Sequence, residues 1–192
     1  MEHENQNLSR SLAEQAYQEI QTKANSNMLL QGISALFGGL VTAGVDVAVI
    51  ITHYVPMFNQ IRYIYNRGPV EENAIVPIIK NILNECLFDI AIDKFVGYIP
   101  IIGIYANILC AKTLTWRLGI LFAMLSSRGE DIKSRAVKDC MFVIRNMFPQ
   151  NSAFKLAQPD KNTFLKMVGS VHNNSQEEFE DKINCTKPLA RW

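Results

Sequence analysis

No stretch of this 192-residue chain reads Gly-x-x-x-x-Gly-Lys followed by Ser or Thr, the loop that cradles phosphates and holds magnesium. Its one adjacent glycine pair, Gly38-Gly39, is followed by Leu40-Val41-Thr42 with no lysine, so the chain is not expected to be a GTPase or ATPase itself. Cysteine is sparse and unpatterned. Cys86, Cys110, Cys140 and Cys185 form no Cys-x-x-Cys and no Cys/His pairing, which fits neither a zinc site nor a small disulfide framework. Free thiols in such a chain point to a reducing, intracellular compartment. An excess of either charge is also missing: 19 basic residues stand against 18 acidic ones, for a net charge of +1. A general nucleic-acid-binding role has no electrostatic footprint here, so no nucleic acid is expected as a partner. The first 27 residues are polar and the apolar run begins too late for a secretory leader. The three sequon matches, at Asn7, Asn173 and Asn184, therefore carry no meaning. No repeat of fixed period is visible.

What is present is apolar and helical in pattern. Apolar residues make up 48% of the chain and charged residues 19%, which excludes disorder along its whole length. The length suits one domain with a tail. Leu8, Leu12, Ala16 and Ile20 recur every four residues with Ala13 and Tyr17 beside them, predicting a helix from about Ser9 to Lys23 that lies on the core. From Met28 to Ile61 the only formally charged residue is Asp46. Within it, Ala35, Gly39 and Ala43 form a small-residue strip at helical spacing, which lets a second helix approach closely in a membrane or a soluble core. Met28–Thr52 is long enough to cross a bilayer, and span or buried hairpin stays open, with Asp46 and Gln31 tilting it towards a core. A helical stretch then continues through Tyr54–Tyr65, with a kink expected at Pro56. Asn66-Arg67-Gly68-Pro69 reads as its stop, because asparagine and glycine tolerate left-handed backbone and proline prevents continuation.

Glu71 and Glu72 favour the start of another helix, expected to reach about Lys94 with a kink or restart at Pro77. A turn through Gly97-Tyr98-Ile99-Pro100-Ile101-Ile102-Gly103 should precede a long apolar helix from about Ile104 to Leu125. Between Lys94 and Arg128 only Lys112 and Arg117 are charged. Such a helix is central to a core or sits in a membrane. After Ser126-Ser127-Arg128-Gly129, residues Glu130–Phe148 are amphipathic with Cys140 on the apolar side, and Pro159–Val171 reads as one more short helix before a polar tail. The expected architecture is all-α: a single helical bundle built around two long glycine-rich apolar helices. Residues 1–27 form an N-terminal amphipathic region, 28–148 the helical core, and 149–192 a short helix and polar tail.

Several groups invite a chemical reading, each weighed against a plainer one. Glu85, Asp89 and Asp93 share a helical stripe, but with no histidine on it a solvated face explains them better than a metal. Asp46 pairs with Lys112 or Arg117, caps a helix end, or is a functional carboxylate. His3, His53 and His172 have no local motif, and a nucleophile–histidine pair would need tertiary proximity. Trp116-Arg117 and the tyrosines Tyr54, Tyr63 and Tyr65 fit interfacial anchors or ordinary packing. No catalytic residue, metal ligand or cofactor is expected.

The segment from roughly Ile33 to Arg128 nevertheless resembles a family of bacterial GTPase-associated helical domains, the YcjF-like family. The run Ala43-Gly44-Val45-Asp46 and the helix ending Met57 to Asn66 look like that family's apolar helix. The turn Ile99-Pro100-Ile101-Ile102-Gly103 is similar to its proline–glycine turn, and Asn107, Ala111, Thr113 or Thr115 and Leu118-Gly119 to the helix that follows. Asn66 stands where the family usually has glycine, and no proline precedes Gly44. A more distant likeness is to the helical domain of immunity-related GTPases. The resemblance implies a non-enzymatic module that couples to a GTPase or other protein partner, docks at a membrane surface, or both, and it transfers no catalytic residues. The candidates for helix packing or interaction are Gly39, Ala43, Gly44, Asp46, Pro100, Gly103, Lys112 and Arg117. The location expected is cytoplasmic, with peripheral or integral association at the cytoplasmic membrane left open. The alternative function is a membrane-inserting effector or pore-forming toxin, and a weaker third is an enzyme whose site gathers Asp46 and His53.

Overall fold

The computed structural model describes residues 2–35, 50–82, 100–130, 140 and 158–172, with side chains over 7–26, 50–82, 112–130, 140 and 158–169. All regular structure among these residues is helical. Helix α1 is Glu2–Ala35, longer at both ends than the apolar spacing predicts. The polar stretch after Lys23 does not end it, and its hydroxyls turn back onto the preceding turn. Thr22 Oγ1 donates to the Gln18 carbonyl and Ser26 Oγ to the Thr22 carbonyl, each at 3.0 Å. Glu19 and Lys23 add a pair one turn apart at 4.0 Å. The helix runs across residues 27 and 28, where the composition changes. Its buried face is the expected one, with Ala13, Ala16, Tyr17, Ile20 and Ala24 in the core, whereas Leu8 is 61% exposed and stands off it.

A π-helical turn, Ile50–Tyr54, leads directly into α2, Val55–Ile64. Pro56 accounts for the wide turn. It has no N–H to give, and its ring crowds the carbonyl four residues back, so the disturbance expected at this proline appears just upstream of it. The end of α2 is the stop read from the sequence. Asn66 takes a left-handed conformation at φ 56°, its N–H reaches the Tyr63 carbonyl at 3.0 Å, and the Arg67 N–H reaches the Arg62 carbonyl at 2.8 Å. This pair of bonds is a Schellman motif, with asparagine in place of the usual glycine.

Helix α3 covers residues 72–82. The Glu71 carbonyl accepts its first bonds from Ala74 and Ile75, at 3.1 and 3.3 Å, and Ile75, Ile79 and Ile82 form its buried face. The restart expected at Pro77 is absent: the helix continues through that exposed residue. Helix α4, Pro100–Arg128, begins four residues before the expected start, so residues 100–103 are helix and not a turn. Proline suits a first helical position, where its missing N–H would have had no partner. Helix α5 is Lys161–His172, close to the range expected. Asp160 caps it: Oδ1 accepts the Thr163 N–H at 3.0 Å, and the Thr163 hydroxyl donates to Oδ2 at 2.5 Å.

The core gathers around α4, whose residues from Thr113 to Ser127 are buried except for Arg117, which is partly so. α1 packs along it more extensively than any other helix does. The two backbones come close at Gly119, where an added Cβ would lie 2.6 Å from both Cγ atoms of Ile20 and 2.9 Å from its Cδ1. One turn away, the Tyr17 ring sits 5.1 Å from Trp116 and 5.4 Å from Phe164 of α5. The Tyr17 hydroxyl donates to the Pro159 carbonyl at 3.1 Å and accepts from Gln158 Nε2 at 3.3 Å. One aromatic side chain thus ties three helices together. Glu14 and Lys161 pair at 3.0 Å beside it. α2 meets α4 through Phe58 and Phe122, with ring centroids 4.4 Å apart. Among the described residues, no helix is long and apolar enough to cross a membrane.

Candidate functional site: a clamped loop where two helices end

The C-termini of α2 and α4 lie side by side. α4 closes with its own Schellman motif: Gly129 sits at φ 70°, its N–H bonds the Ser126 carbonyl at 3.1 Å, and the Glu130 N–H bonds the Leu125 carbonyl at 3.0 Å. A side chain at Gly129 would fall on the Arg67 guanidinium, so Arg67, just past the end of α2, rests on Gly129, just past the end of α4. Helix C-termini carry partial negative charge, which a nearby guanidinium offsets by about 0.3–1 kcal/mol at an exposed site. Arg62, Arg67 and Arg128 all stand at this junction, and Arg128 Nε is 2.8 Å from Glu130 Oε1. Arg62 is buried, with its guanidinium carbon 5.6 Å from the centroid of the Phe58 ring and its Nε donating to the Gly68 carbonyl.

The loop after α2 is fixed from two sides. Arg62 holds Gly68, and Asn59 Oδ1 accepts the Val70 N–H at 3.0 Å. Side chains of α2 therefore replace the backbone partners that a loop ordinarily takes from water. On this fixed base Arg67, Gly68 and Pro69 are exposed, and Tyr63 presents its ring to solvent at 56% exposure, one of two large apolar side chains so exposed among the described residues. Nearby polarity is less well satisfied. The hydroxyls of Tyr65 and Ser126 are buried without a hydrogen-bond partner, and burial pushes the Tyr65 phenol well above the ordinary tyrosine range.

Of the eight candidates from the sequence, four fall among the described residues. Gly39, Ala43, Gly44 and Asp46 lie outside the described residues, as do Glu85, Asp89 and Asp93. Pro100 and Gly103 fall in the first turns of α4 as helical residues. Lys112 and Arg117 are both on α4 and both half-buried, but five positions separate them, which is roughly 140° around a helix of 3.6 residues per turn. Arg117 Nε is buried without a hydrogen-bond partner, as is Trp116 Nε1. The interfacial-anchor reading of the aromatic residues gives way for Trp116, Tyr54 and Tyr65, which are buried at 0%, 1% and 9% exposure, and leaves only Tyr63 on the surface. His53 sits half-buried in the π-helical turn, and desolvation and then the charge of Lys23 lower its pKa. Among the described residues, no group of three or more His, Cys, Asp or Glu side chains could hold a metal ion.

Sequence reasoning identified the stop at residues 66–69 but not the meeting of that stop with Gly129, which is a tertiary event. The hub at Tyr17 was visible only as one aromatic beside an apolar stripe. Gly119 stood in the family resemblance without a packing role. The stop after α2 and the short helix α5 were local signals; which elements touch was not encoded in any one segment. No family model, curated protein or solved structure matches the chain.

Proposed function

We propose that this chain is a non-enzymatic helical module, a single bundle around two long glycine-rich apolar helices, that couples to a protein partner through the surface bearing Tyr63 and Arg67. The observation that carries this reading is the pairing of exposure with rigidity. Tyrosine and arginine are over-represented among residues that dominate binding energy, and a surface already held in place loses less entropy on docking. Here Asn59 and Arg62 hold the loop that carries the exposed Arg67 and Pro69, and that loop follows directly on the last turn of α2, which bears the exposed Tyr63 ring. The partner class comes from the YcjF-like resemblance, which points to a GTPase, consistent with a chain whose sequence has no phosphate-cradling loop. Docking at the cytoplasmic membrane surface is the competing use of the same face.

A photo-crosslinking amino acid at position 63, introduced in the native cell, tests the proposal. A defined protein adduct carrying a phosphate-binding loop, lost in an Arg67→Glu variant that still folds, is the expected result. Labelling of lipid alone would assign the face to the membrane, and absence of any specific adduct would overturn the docking role.

A further inference from the structure

We draw no further inference here: the strongest candidate, the cluster of Arg62, Arg67 and Arg128 where the C-termini of α2 and α4 meet, has its guanidiniums set against the Gly68 carbonyl, Gly129 and Glu130, and nothing in the structure shows an anion or a partner that covers it.

Discussion

Replacing Gly119 with alanine measures directly how tightly α1 and α4 are seated. In an exposed helix this change would stabilise, since glycine in a helix interior is about 0.5–1 kcal/mol worse than alanine. Here the new methyl would stand 2.6 Å from Ile20 Cγ1 and Cγ2 and 2.9 Å from Cδ1. Ile20 cannot swing clear: it is β-branched, its χ1 in a helix is confined to one rotamer, and the atoms in the way are its first branch. Either the helices separate or Ile20 leaves its rotamer, and overpacking of this kind costs about 1–3 kcal/mol. The net expectation for Gly119→Ala is destabilisation by about 1–2 kcal/mol, a fall in melting temperature of about 2–8 °C for a chain of this size. Ile20→Ala alone should cost about 2–5 kcal/mol through the cavity it leaves. In that background all three opposing atoms are gone, and Gly119→Ala should recover about 1 kcal/mol by propensity. The sign of the glycine substitution therefore reverses between the two backgrounds, a coupling of about 2–3 kcal/mol. Thermal or urea unfolding of the four proteins in the cycle is the assay. Gly119→Ala acting equally and favourably in both backgrounds would refute the close approach of α1 to α4.

Other outcomes follow from the same geometry. Tyr17→Phe keeps the ring contacts with Trp116 and Phe164 but removes the donor to the Pro159 carbonyl, so unfolding should show a loss of about 1–3 kcal/mol, with a further contribution from Gln158. Gly129→Ala forces an L side chain into left-handed backbone and onto the Arg67 guanidinium, at a cost of about 1–2 kcal/mol for the backbone alone. An Arg67→Ala background should reduce the total measured by denaturation to that backbone part. Asp160→Ala removes the cap of α5 and should cost about 0.5–2 kcal/mol, with Asp160→Asn retaining most of the stability. His53 has a lowered pKa in the folded chain, so well above pH 6.5 both states are neutral and its contribution is flat. As pH falls through 6.5 the unfolded chain takes up the proton more readily and stability declines; in His53→Gln that part of the pH dependence of unfolding should vanish.

Local chemistry was legible mainly where the decisive interaction lies within a few residues. The stop at Asn66 needs only a residue that accepts positive φ followed by a glycine and a proline, and that information is contiguous. The short helix α5 was read close to its observed place, but its cap, Asp160 with Thr163 one turn on, was not singled out although it is equally local. Errors arose where a locally unfavourable residue is overruled by its position. Pro100 and Gly103 resemble a turn in composition, yet a proline at the first position of a helix loses no bond. The polar residues Thr22 to Ser26 resemble a boundary, yet their hydroxyls fold back onto carbonyls of the preceding turn. The candidate site was hardest of all. Arg67 lies inside the stop read from the sequence, but its meeting with Gly129 depends on α2 packing beside α4, where Phe58 meets Phe122.

That packing also bears on what solvates α4. Hydropathy alone leaves its surroundings open, because leucine and isoleucine are as content in lipid as in a protein core. Burial decides more. Leu118, Ile120, Leu121, Phe122, Ala123, Met124 and Leu125 are consecutive apart from Gly119, and every one is at 0% exposure, so this stretch is enclosed on all sides by the rest of the chain. A helix inserted in a bilayer would have to exchange those contacts for acyl chains, with little gain in apolar solvation and the loss of dense packing. Arg117 would enter with it, and an arginine near the middle of a span costs about 2.5–3.5 kcal/mol on insertion scales. Insertion would also break the seat of Tyr17 on Trp116 and the junction of Arg67 with Gly129, so it would require most of the tertiary structure to open. Tryptophan fluorescence can follow that exchange, since Trp116 is fully buried in the folded chain. Added to anionic vesicles, a Trp192→Phe variant, which keeps Trp116 as the sole tryptophan, should keep its emission maximum and show no quenching by brominated acyl chains. Quenching that depends on bromine depth would show that α4 leaves its protein partners for lipid, and would displace the docking module in favour of an inserting one.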